Sequence, residues 1–192
     1  MIIPIETSAR HLHLKKEHFE TLFGKGAELT FRNELTQPGT FAAEETVTLK
    51  SEKTQIENVR ILGPLRDYTQ VEISKSDAYR LGIDPPIRDS HELEMEGTAG
   101  IVLIGPVGRI QLEKGVIIPW RHIHISPNDA LDAGVTDGDL VKVDIDDDAR
   151  SVIFENVFVR VKANYELVMH IDTDEGNAAM PAGLHAVGEL IP

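Results

Sequence analysis

Apolar and polar residues alternate in two short stretches that share one pattern. Residues 10–14 read Arg-His-Leu-His-Leu, and residues 121–125 read Arg-His-Ile-His-Ile. A period of two is typical of a β-strand, so both histidines of a stretch point to one side and the apolar residues to the other. The two histidine Cα atoms then lie ~6.5–7 Å apart, close enough for both imidazoles to bind one metal ion. We therefore predict two strands that bury one face in a core and carry metal ligands on the other.

Many more short alternating runs follow the same rule, and few of them have a helical period. The predicted strands cover residues 46–50, 59–62, 68–73, 101–106, 116–119, 140–145, 157–162 and 165–171. Short helices are predicted at 15–22 and 74–81, and two more are predicted to start at Pro127 and at Asp172. Short strands, short connections and one- to two-turn helices favour a mainly β fold of barrels capped by helices over a Rossmann-type sheet. The chain has neither a glycine-rich dinucleotide fingerprint nor a P-loop.

A wider repeat connects these elements. Four segments share one order, in which a strand end is followed by an apolar residue and the start of a short helix: residues 13–19, 72–78, 124–130 and 170–176. The first segment is the weakest member, because it lacks a serine or aspartate cap. In every segment the residue before the apolar one can bind metal, namely His13, Glu72, His124 and His170. Two such units build one small barrel and four build two related barrels, so we expect a composite site in a cleft between them.

Composition narrows the chemistry of that site. The 192 residues have a formal net charge of −13, which argues against nucleic acid or an anionic membrane as the main partner. There is no cysteine, so nitrogen and oxygen must hold any metal, a donor set that suits Zn²⁺ without excluding Mn²⁺, Fe²⁺ or Co²⁺. No apolar run approaches the ~20 residues of a membrane span, and the first residues show no secretory signal, so we expect a cytoplasmic protein.

Ordinary structural roles are the alternative for several of these residues. His18, His91 and His185 fit no repeat and are interpreted as surface or structural residues. Asp146 to Asp148 lacks the spacing of a calcium loop and is interpreted as a solvated hairpin loop.

Four arginines lie near the proposed ligands in the sequence: Arg10, Arg60, Arg66 and Arg121. In so acidic a chain they are candidates for binding phosphate, because the planar guanidinium makes paired contacts with its oxygens. Exposed ion pairs explain any one of them equally well.

Taken together, these residues resemble one family. The two Arg-His-x-His stretches, Gly63-Pro64 with Arg66, residues 69–74 and residues 169–175 are similar to the PduL-type phosphotransacylases, also called phosphate propanoyltransferases. The similarity extends over essentially the whole chain and includes residues 37–39 and 41–45. It implies the reaction of an acyl-CoA with phosphate to give an acyl phosphate and CoA.

The resemblance also implies a fold and a site. It implies two β-barrel domains, residues 10–119 and 120–192, with the strand at residues 1–9 exchanged into the second barrel and two Zn²⁺ ions between the barrels. The implied ligands are His11, His13 and Glu72 for one zinc ion and His122, His124 and His170 for the other. Arg66 matches the arginine that contacts phosphate, and the positions that match the CoA site are Ser8, Arg60, Leu62 and Asn177. Asn33 stands where the resemblance implies a lysine, and we expect no N-terminal extension of the kind that relatives from bacterial microcompartments carry.

Two other functions use the same residues. A dinuclear metallohydrolase acting on a thioester or phosphate ester would need the same ligands with water as the nucleophile. A binding module would use the metals only to hold two barrels together. The sequence leaves open the acyl chain, the metal loaded, the direction of the reaction and whether the protein forms a homodimer, since acetyl and propanoyl groups differ by one methylene.

Overall fold

The computed structural model describes residues 1–92, 94–146, 150–179 and 186–191. The strands are β1 (Ile2–Ser8), β2 (His11–His13), β3 (Phe31–Glu34), β4 (Phe41–Lys50), β5 (Gln55–Gly63), β6 (Gln70–Glu72), β7 (Ile87–Arg88), β8 (Ala99–Ile104), β9 (Arg109–Pro119), β10 (His122–Ile125), β11 (Leu140–Ile145), β12 (Val152–Val161), β13 (Val168–Asp172) and β14 (Ala186–Ile191). The helices are α1 (Lys16–Phe23), α2 (Lys75–Leu81), α3 (Pro127–Ala133) and α4 (Thr173–Ala179). The predicted mainly β fold with short helices is therefore confirmed.

The chain forms two compact units, each with its own apolar core. The central unit comprises Arg10–Leu35 and Gly39–Pro119, and the terminal unit comprises Met1–Ala9, Thr36–Pro38 and Trp120–Pro192. Each core combines inward-facing apolar side chains of that unit's own strands with apolar residues of its short helices, such as Leu22 in the central unit and Ala130 in the terminal unit.

Six strands close a barrel in the central unit. Following the hydrogen bonds, the order is β4-β5-β2-β6-β9-β8, and β8 pairs with β4 to close the ring. Strands β3 and β7 are added to β4 and β9 outside this ring. Closure leaves these six strands without a free edge.

Six strands also close a barrel in the terminal unit, in the order β11-β12-β10-β13-β1-β14. Each strand has a counterpart in the central barrel with the same neighbours and the same directions, so the two barrels share one topology. In this correspondence β1 matches β9: each pairs in parallel with one neighbour and antiparallel with the other. Strand β1 lies just before β2 of the central barrel in the chain but belongs to the terminal barrel. In the same way, β9 lies just before β10 of the terminal barrel but belongs to the central barrel.

The fourfold repeat is visible in the helices. Helices α1, α2, α3 and α4 directly follow β2, β6, β10 and β13. Serine caps begin α2 and α3, because the side chains of Ser74 and Ser126 accept hydrogen bonds from the third helical residue, a contact worth about 1 kcal/mol. Helix α1 has no side-chain cap, in agreement with its weak fit to the repeat. Gly82 and Gly134 end α2 and α3 in the left-handed conformation that glycine adopts at little cost.

Several strands are longer than their patterns predict. Strands β4, β9 and β12 extend five to seven residues before the predicted starts at 46, 116 and 157. Register shifts in the pairing of β4 with β5 and of β11 with β12 interrupt the alternation there, so a strict period of two misses these residues. Strand β3 is exposed on both faces and has no alternation to find.

No helix in the described part of the chain combines the length and the apolar character that crossing a membrane requires. His185, Asp147 and Asp148, for which the sequence made structural predictions, lie outside the described residues.

Candidate metal centres

The central barrel brings together three side chains that could hold a metal ion, here called the central triad: His11, His13 and Glu72. His11 lies opposite Glu72 in the antiparallel pairing of β2 with β6. The Nε2 atoms of His11 and His13 lie 3.5 and 3.9 Å from the two Glu72 carboxylate oxygens. Each residue offers one donor atom, and the three atoms lie within 4.8 Å of one another. All three residues are buried, with only 6–7% of their surface exposed.

The terminal barrel builds an equivalent group, here called the terminal triad: His122, His124 and His170. His122 lies opposite His170 in the antiparallel pairing of β10 with β13, at the same register as His11 and Glu72. The Nε2 atoms of His122 and His124 are 3.1 Å apart. The donor atoms of all three histidines lie within 4.8 Å of one another. The four residues that the repeat singled out, His13, Glu72, His124 and His170, therefore lie in two spatial groups, each completed by the other histidine of its His-x-His stretch.

The strand period explains why the histidines converge. Leu12 and Leu14 alternate with the central histidines, Ile123 and Ile125 alternate with the terminal ones, and all four aliphatic side chains are fully buried in the two cores. Burial of each such side chain contributes roughly 1.5–3 kcal/mol, so a one-residue slip of either strand would be strongly unfavourable. Core packing therefore holds the imidazoles on the opposite face.

Burial and neighbouring positive charge keep the imidazoles of His13 and His122 neutral. The pKa of His13 is lowered to about 3, first by burial and then by repulsion from His11 and Arg66. The pKa of His122 is lowered well below its usual value by burial, followed by repulsion from Arg160 and His124. Both histidines are therefore unprotonated at neutral pH, as metal ligands must be.

Backbone carbonyls orient two of these rings. The Nδ1 of His13 lies 3.3 Å from the Leu62 carbonyl oxygen, and the Nδ1 of His122 lies 2.8 Å from the Trp120 carbonyl oxygen. A carbonyl only accepts, so Nδ1 carries the proton and donates it, leaving the Nε2 lone pair for a metal. Such outer contacts are typical of metal-binding histidines.

The donor geometry fits a small transition-metal ion in each triad. Four ligands at ~2.0–2.1 Å around tetrahedral Zn²⁺ stand about 3.3 Å from one another. The donor separations of 3.5 and 3.9 Å in the central triad and 3.1 Å in the terminal triad lie close to that spacing. Three protein ligands leave one position of a tetrahedral ion open, as catalytic zinc sites do.

Ion pairs tie together the strands that carry the ligands. Arg10 Nε donates to Asp77 Oδ2 at 2.7 Å, and Arg121 Nη1 donates to Glu175 Oε1 at 2.6 Å. Asp77 and Glu175 are each the third residue of the helix that follows the third-ligand strand. For Arg10 and Arg121, ion pairing rather than phosphate binding is thus the role that the structure shows.

Arg66 differs from those two arginines. Its Nη1 donates to the Tyr68 hydroxyl at 2.6 Å, and its backbone N–H donates to the Leu14 carbonyl. The contact with Leu14, the residue that follows His13, places Arg66 next to the strand that carries the central triad, and its positive charge contributes to the low pKa of His13. Among the described residues, no carboxylate forms an ion pair with its partly exposed guanidinium. Arg66 therefore offers an anion several donors beside the triad.

The remaining predicted site residues lie in both units. Arg60 is opposite His11 in β5, and its Nη1 donates to the carbonyls of Ala43 and Glu44 at 2.9 and 2.7 Å. Leu62 supplies the carbonyl beside His13. Asn33 is exposed on β3.

In the terminal unit, Ser8 ends β1 opposite Asp172, and Asn177 is exposed on α4. Away from the triads, His18 Nδ1 lies 2.8 Å from Thr69 Oγ1, in agreement with its predicted structural role.

Several residues near the triads were missed by the sequence analysis: Glu6, Gln70, Asp77, Arg160 and Glu175. Asp77 and Glu175 did leave a signal, because they occupy the same place in the fourfold repeat. Glu6 left none, since its Oε2 comes within 3.3 Å of His170 Nε2 only when β1 pairs with β13. Arg160 is 4% exposed and lies opposite His124 through a pairing that is equally invisible in the sequence.

Comparison with known proteins shows the family of this chain. The profile of the family described as phosphate propanoyltransferase matches residues 4–182. A protein of that name from Thermotoga maritima is 56% identical over 93% of this chain and 84% of its own length. Those from Lachnoclostridium phytofermentans and Salmonella typhimurium are 53% and 49% identical, over 92% and 98% of this chain and 82% and 89% of their own lengths. The chain therefore belongs to the phosphate propanoyltransferase family of acyltransferases.

Proposed function

We propose that this protein transfers a short acyl group, propanoyl or acetyl, between CoA and inorganic phosphate. The forward reaction converts an acyl-CoA and phosphate to an acyl phosphate and CoA. The observation that carries this proposal is the pairing of a buried three-ligand centre with Arg66, an arginine with no carboxylate partner among the described residues. Such a centre suits a carbonyl group and a thiolate, and the free guanidinium donors suit phosphate.

Two Zn²⁺ ions fit the six ligands, with His11, His13 and Glu72 holding one and His122, His124 and His170 holding the other. When bound, Zn²⁺ supplies a Lewis acid that polarises a carbonyl group and binds a thiolate well. The low pKa of His13 and of His122 keeps both rings ready to bind metal at neutral pH.

Arg66 would bind phosphate and orient one of its oxygens toward the thioester carbon. The Tyr68 hydroxyl fixes one end of the guanidinium, which limits the entropy lost when phosphate binds. For CoA we propose contacts with Ser8, Arg60, Leu62 and Asn177. Arg60 Nη1 is engaged with backbone carbonyls, so its remaining donors are those that CoA would use.

The acyl group would pass directly from sulfur to phosphate. A phosphate oxygen forms a bond to the carbonyl carbon, the C–S bond breaks with its electron pair leaving on sulfur, and the phosphate proton ends on the CoA thiol. The chain has no cysteine and no Gly-x-Ser-x-Gly motif, so neither residue class offers the usual nucleophile for an acyl-enzyme. Exchange of label between acyl-CoA and free CoA in the absence of phosphate would contradict direct transfer.

The decisive experiment measures CoA release from propanoyl-CoA and acetyl-CoA with and without phosphate, before and after chelation. We expect release that needs both phosphate and bound metal, with formation of acyl phosphate in equal amount. Release that proceeds equally well without phosphate would indicate the metallohydrolase instead.

Arg66→Ala tests the phosphate-binding role. We expect about 10²–10³-fold lower kcat/KM with a raised KM for phosphate and unchanged metal content, as for loss of an electrostatic clamp. Lys114→Ala is a suitable control, because that cation is exposed and pairs only with the exposed Glu96 among the described residues. Unchanged kinetics in Arg66→Ala would refute the assignment.

A further inference from the structure

The face that carries the central triad also carries a fourth polar side chain, Gln70. Strand β6 places Gln70 two residues before Glu72, so both side chains point to the same face, while Val71 between them packs in the core. In the pairing of β2 with β6, Gln70 lies directly opposite His13. The central triad is therefore one part of a two-by-two array of polar side chains.

Gln70 is fully buried, and its amide has no hydrogen-bond partner. Its exposed fraction is 0%, and neither Oε1 nor Nε2 contacts a donor or acceptor among the described residues. Burying an unpaired amide is unfavourable, and native proteins seldom retain one without a use for it. The unpaired amide therefore lowers the stability of the folded protein unless it forms a hydrogen bond with a bound ligand.

The terminal barrel shows that a triad does not need this amide. Val168 is the exact counterpart of Gln70, since it lies opposite His124 as Gln70 lies opposite His13. Val168 is also buried, with 1% exposed. An aliphatic side chain therefore suffices to build a three-ligand centre on this topology, and the amide at residue 70 is specific to the centre beside Arg66.

We infer that Gln70 donates its amide N–H to the carbonyl oxygen of the acyl group during transfer, an inference that rests on the proposed function. As phosphate attacks, the electron pair of the C=O double bond moves to that oxygen, and it returns when the C–S bond breaks. A neutral amide in a water-excluded position stabilises the charge that develops there, as side-chain amides do in oxyanion holes.

Burial and charge favour the carbonyl oxygen over phosphate as the partner. Phosphate carries up to two negative charges at neutral pH, and moving it into a fully buried position opposite a neutral amide would be costly. The carbonyl oxygen of a small acyl group carries no charge before the reaction and enters such a place at less cost. Arg66, which is partly exposed and cationic, is the better partner for phosphate.

Gln70→Met tests this role, because methionine has a similar size and no amide. We expect kcat to fall about 10²–10³-fold, as for removal of an oxyanion donor, with the KM values for phosphate and acyl-CoA within about threefold of wild type. In the same variant, the Tm of the protein without substrates should not fall, because an unpaired buried amide has been removed. A structural amide would behave in the opposite way and lower the Tm.

The control is Val168→Ala, at the counterpart position in the terminal barrel. This variant removes packing only, so we expect its Tm to be lower than that of wild type. Its kcat should not show the large fall expected for Gln70→Met. Gln70→Val, which copies the terminal barrel, is the second variant and should reproduce the kinetic result of Gln70→Met.

Four results would overturn the inference. A Tm several degrees lower in both Gln70 variants, or failure of both to fold, would make the amide structural. A raised KM for phosphate with kcat unchanged would make Gln70 part of the phosphate site. Wild-type protein that releases no CoA in response to phosphate would overturn the proposed function and this inference together, whereas an active wild type with fully active Gln70 variants would overturn the inference alone.

Discussion

The two barrels share one topology but place their carboxylate on different strands. In the central barrel the third member of the triad is Glu72, and its neighbour on β9 is Ile117. In the terminal barrel the third member is His170, and its neighbour on β1 is Glu6. The carboxylate thus belongs to the triad itself in one barrel and contacts a triad histidine in the other, at matching register positions.

The different position of the carboxylate changes the groups that each triad offers to a substrate. The central triad has two imidazoles and one carboxylate, with Arg66 nearby to attract an anion. The terminal triad has three imidazoles, with Glu6 beside one of them and Arg160 close enough to His122 to lower its pKa. The same barrel topology can therefore carry two centres of different charge. Strand pairing sets where the side chains lie, and the residue types at those positions set the chemistry.

Loss of a third ligand should have the largest effect. We expect Glu72→Ala and His170→Ala each to lose one of the two bound metal ions and to reduce CoA release to background, because two imidazoles alone hold Zn²⁺ poorly. Elemental analysis after gel filtration and the CoA assay measure the two effects. Glu57→Ala, an exposed carboxylate on β5, is the control.

Glu72→His sharpens that test, since it gives both triads three histidines. This variant should keep both ions, and a Co²⁺-substituted sample should show a changed absorption spectrum. If Glu72→Ala kept both ions, Glu72 would not be a ligand.

Loss of the ion pairs made by Arg10 and Arg121, the residues directly before His11 and His122, should have the next largest effect. Arg10→Gln and Arg121→Gln each remove the contact to the helix after the third ligand, so each should weaken metal binding in its own barrel by about 10–100-fold. Competition with a chromogenic chelator measures this affinity. Arg32→Gln, which breaks a half-exposed pair with Glu44, should leave it unchanged. A loss of Tm without loss of metal affinity would limit the pairs to a structural role.

The pH dependence of the metal-free protein should reveal the buried imidazoles. The pKa of His13 is about 3 in the folded protein and about 6.5 when unfolded. Between these values the unfolded chain binds a proton that the folded chain does not, so stability falls by about 1.4 kcal/mol for each pH unit below 6.5. Urea denaturation of chelated protein from pH 7 to 4 measures the slope. His13→Gln should reduce the slope without abolishing it, because His122 also has a pKa lowered by burial, and an unchanged slope would contradict the burial argument.

The smallest effect is expected at Glu6. The hydrogen bond with His170 lowers the pKa of this carboxyl group, so its contribution is present at neutral pH and is lost as the pH falls through the lowered value. Because Glu6 is 46% exposed, Glu6→Gln should cost no more than about 1 kcal/mol at pH 7. The difference from wild type in urea denaturation should disappear at low pH, and a difference that persisted there would arise from another contact.

Local pattern predicted a large part of the site. The alternation of residues 10–14 and 121–125 sets which side chains point together, and the fourfold repeat identified Glu72 and His170 as their partners. Both inferences depend on neighbours within a few residues, where strand geometry and helix capping are decided. The same repeat already contained Asp77 and Glu175, whose contacts with Arg10 and Arg121 became visible only in the structure.

Barrel closure decided the rest. Strand β1 pairs with β13 and β14, so Glu6 meets a residue 164 positions away. Register shifts lengthened β4 and β12 beyond their alternating residues. Neither feature has a signature in nearby residues, because each depends on which strands complete a ring.

The sequence by itself determined the six candidate ligands and the short strands and helices that carry them, because period, capping and repeat are local properties of the chain. Only the tertiary structure decided that Arg10 and Arg121 are paired while Arg66 has no carboxylate partner among the described residues. It also decided that Gln70 is buried opposite His13 without a partner, where the other barrel has Val168. Those outcomes depend on strand register across each barrel, which distant parts of the chain set together.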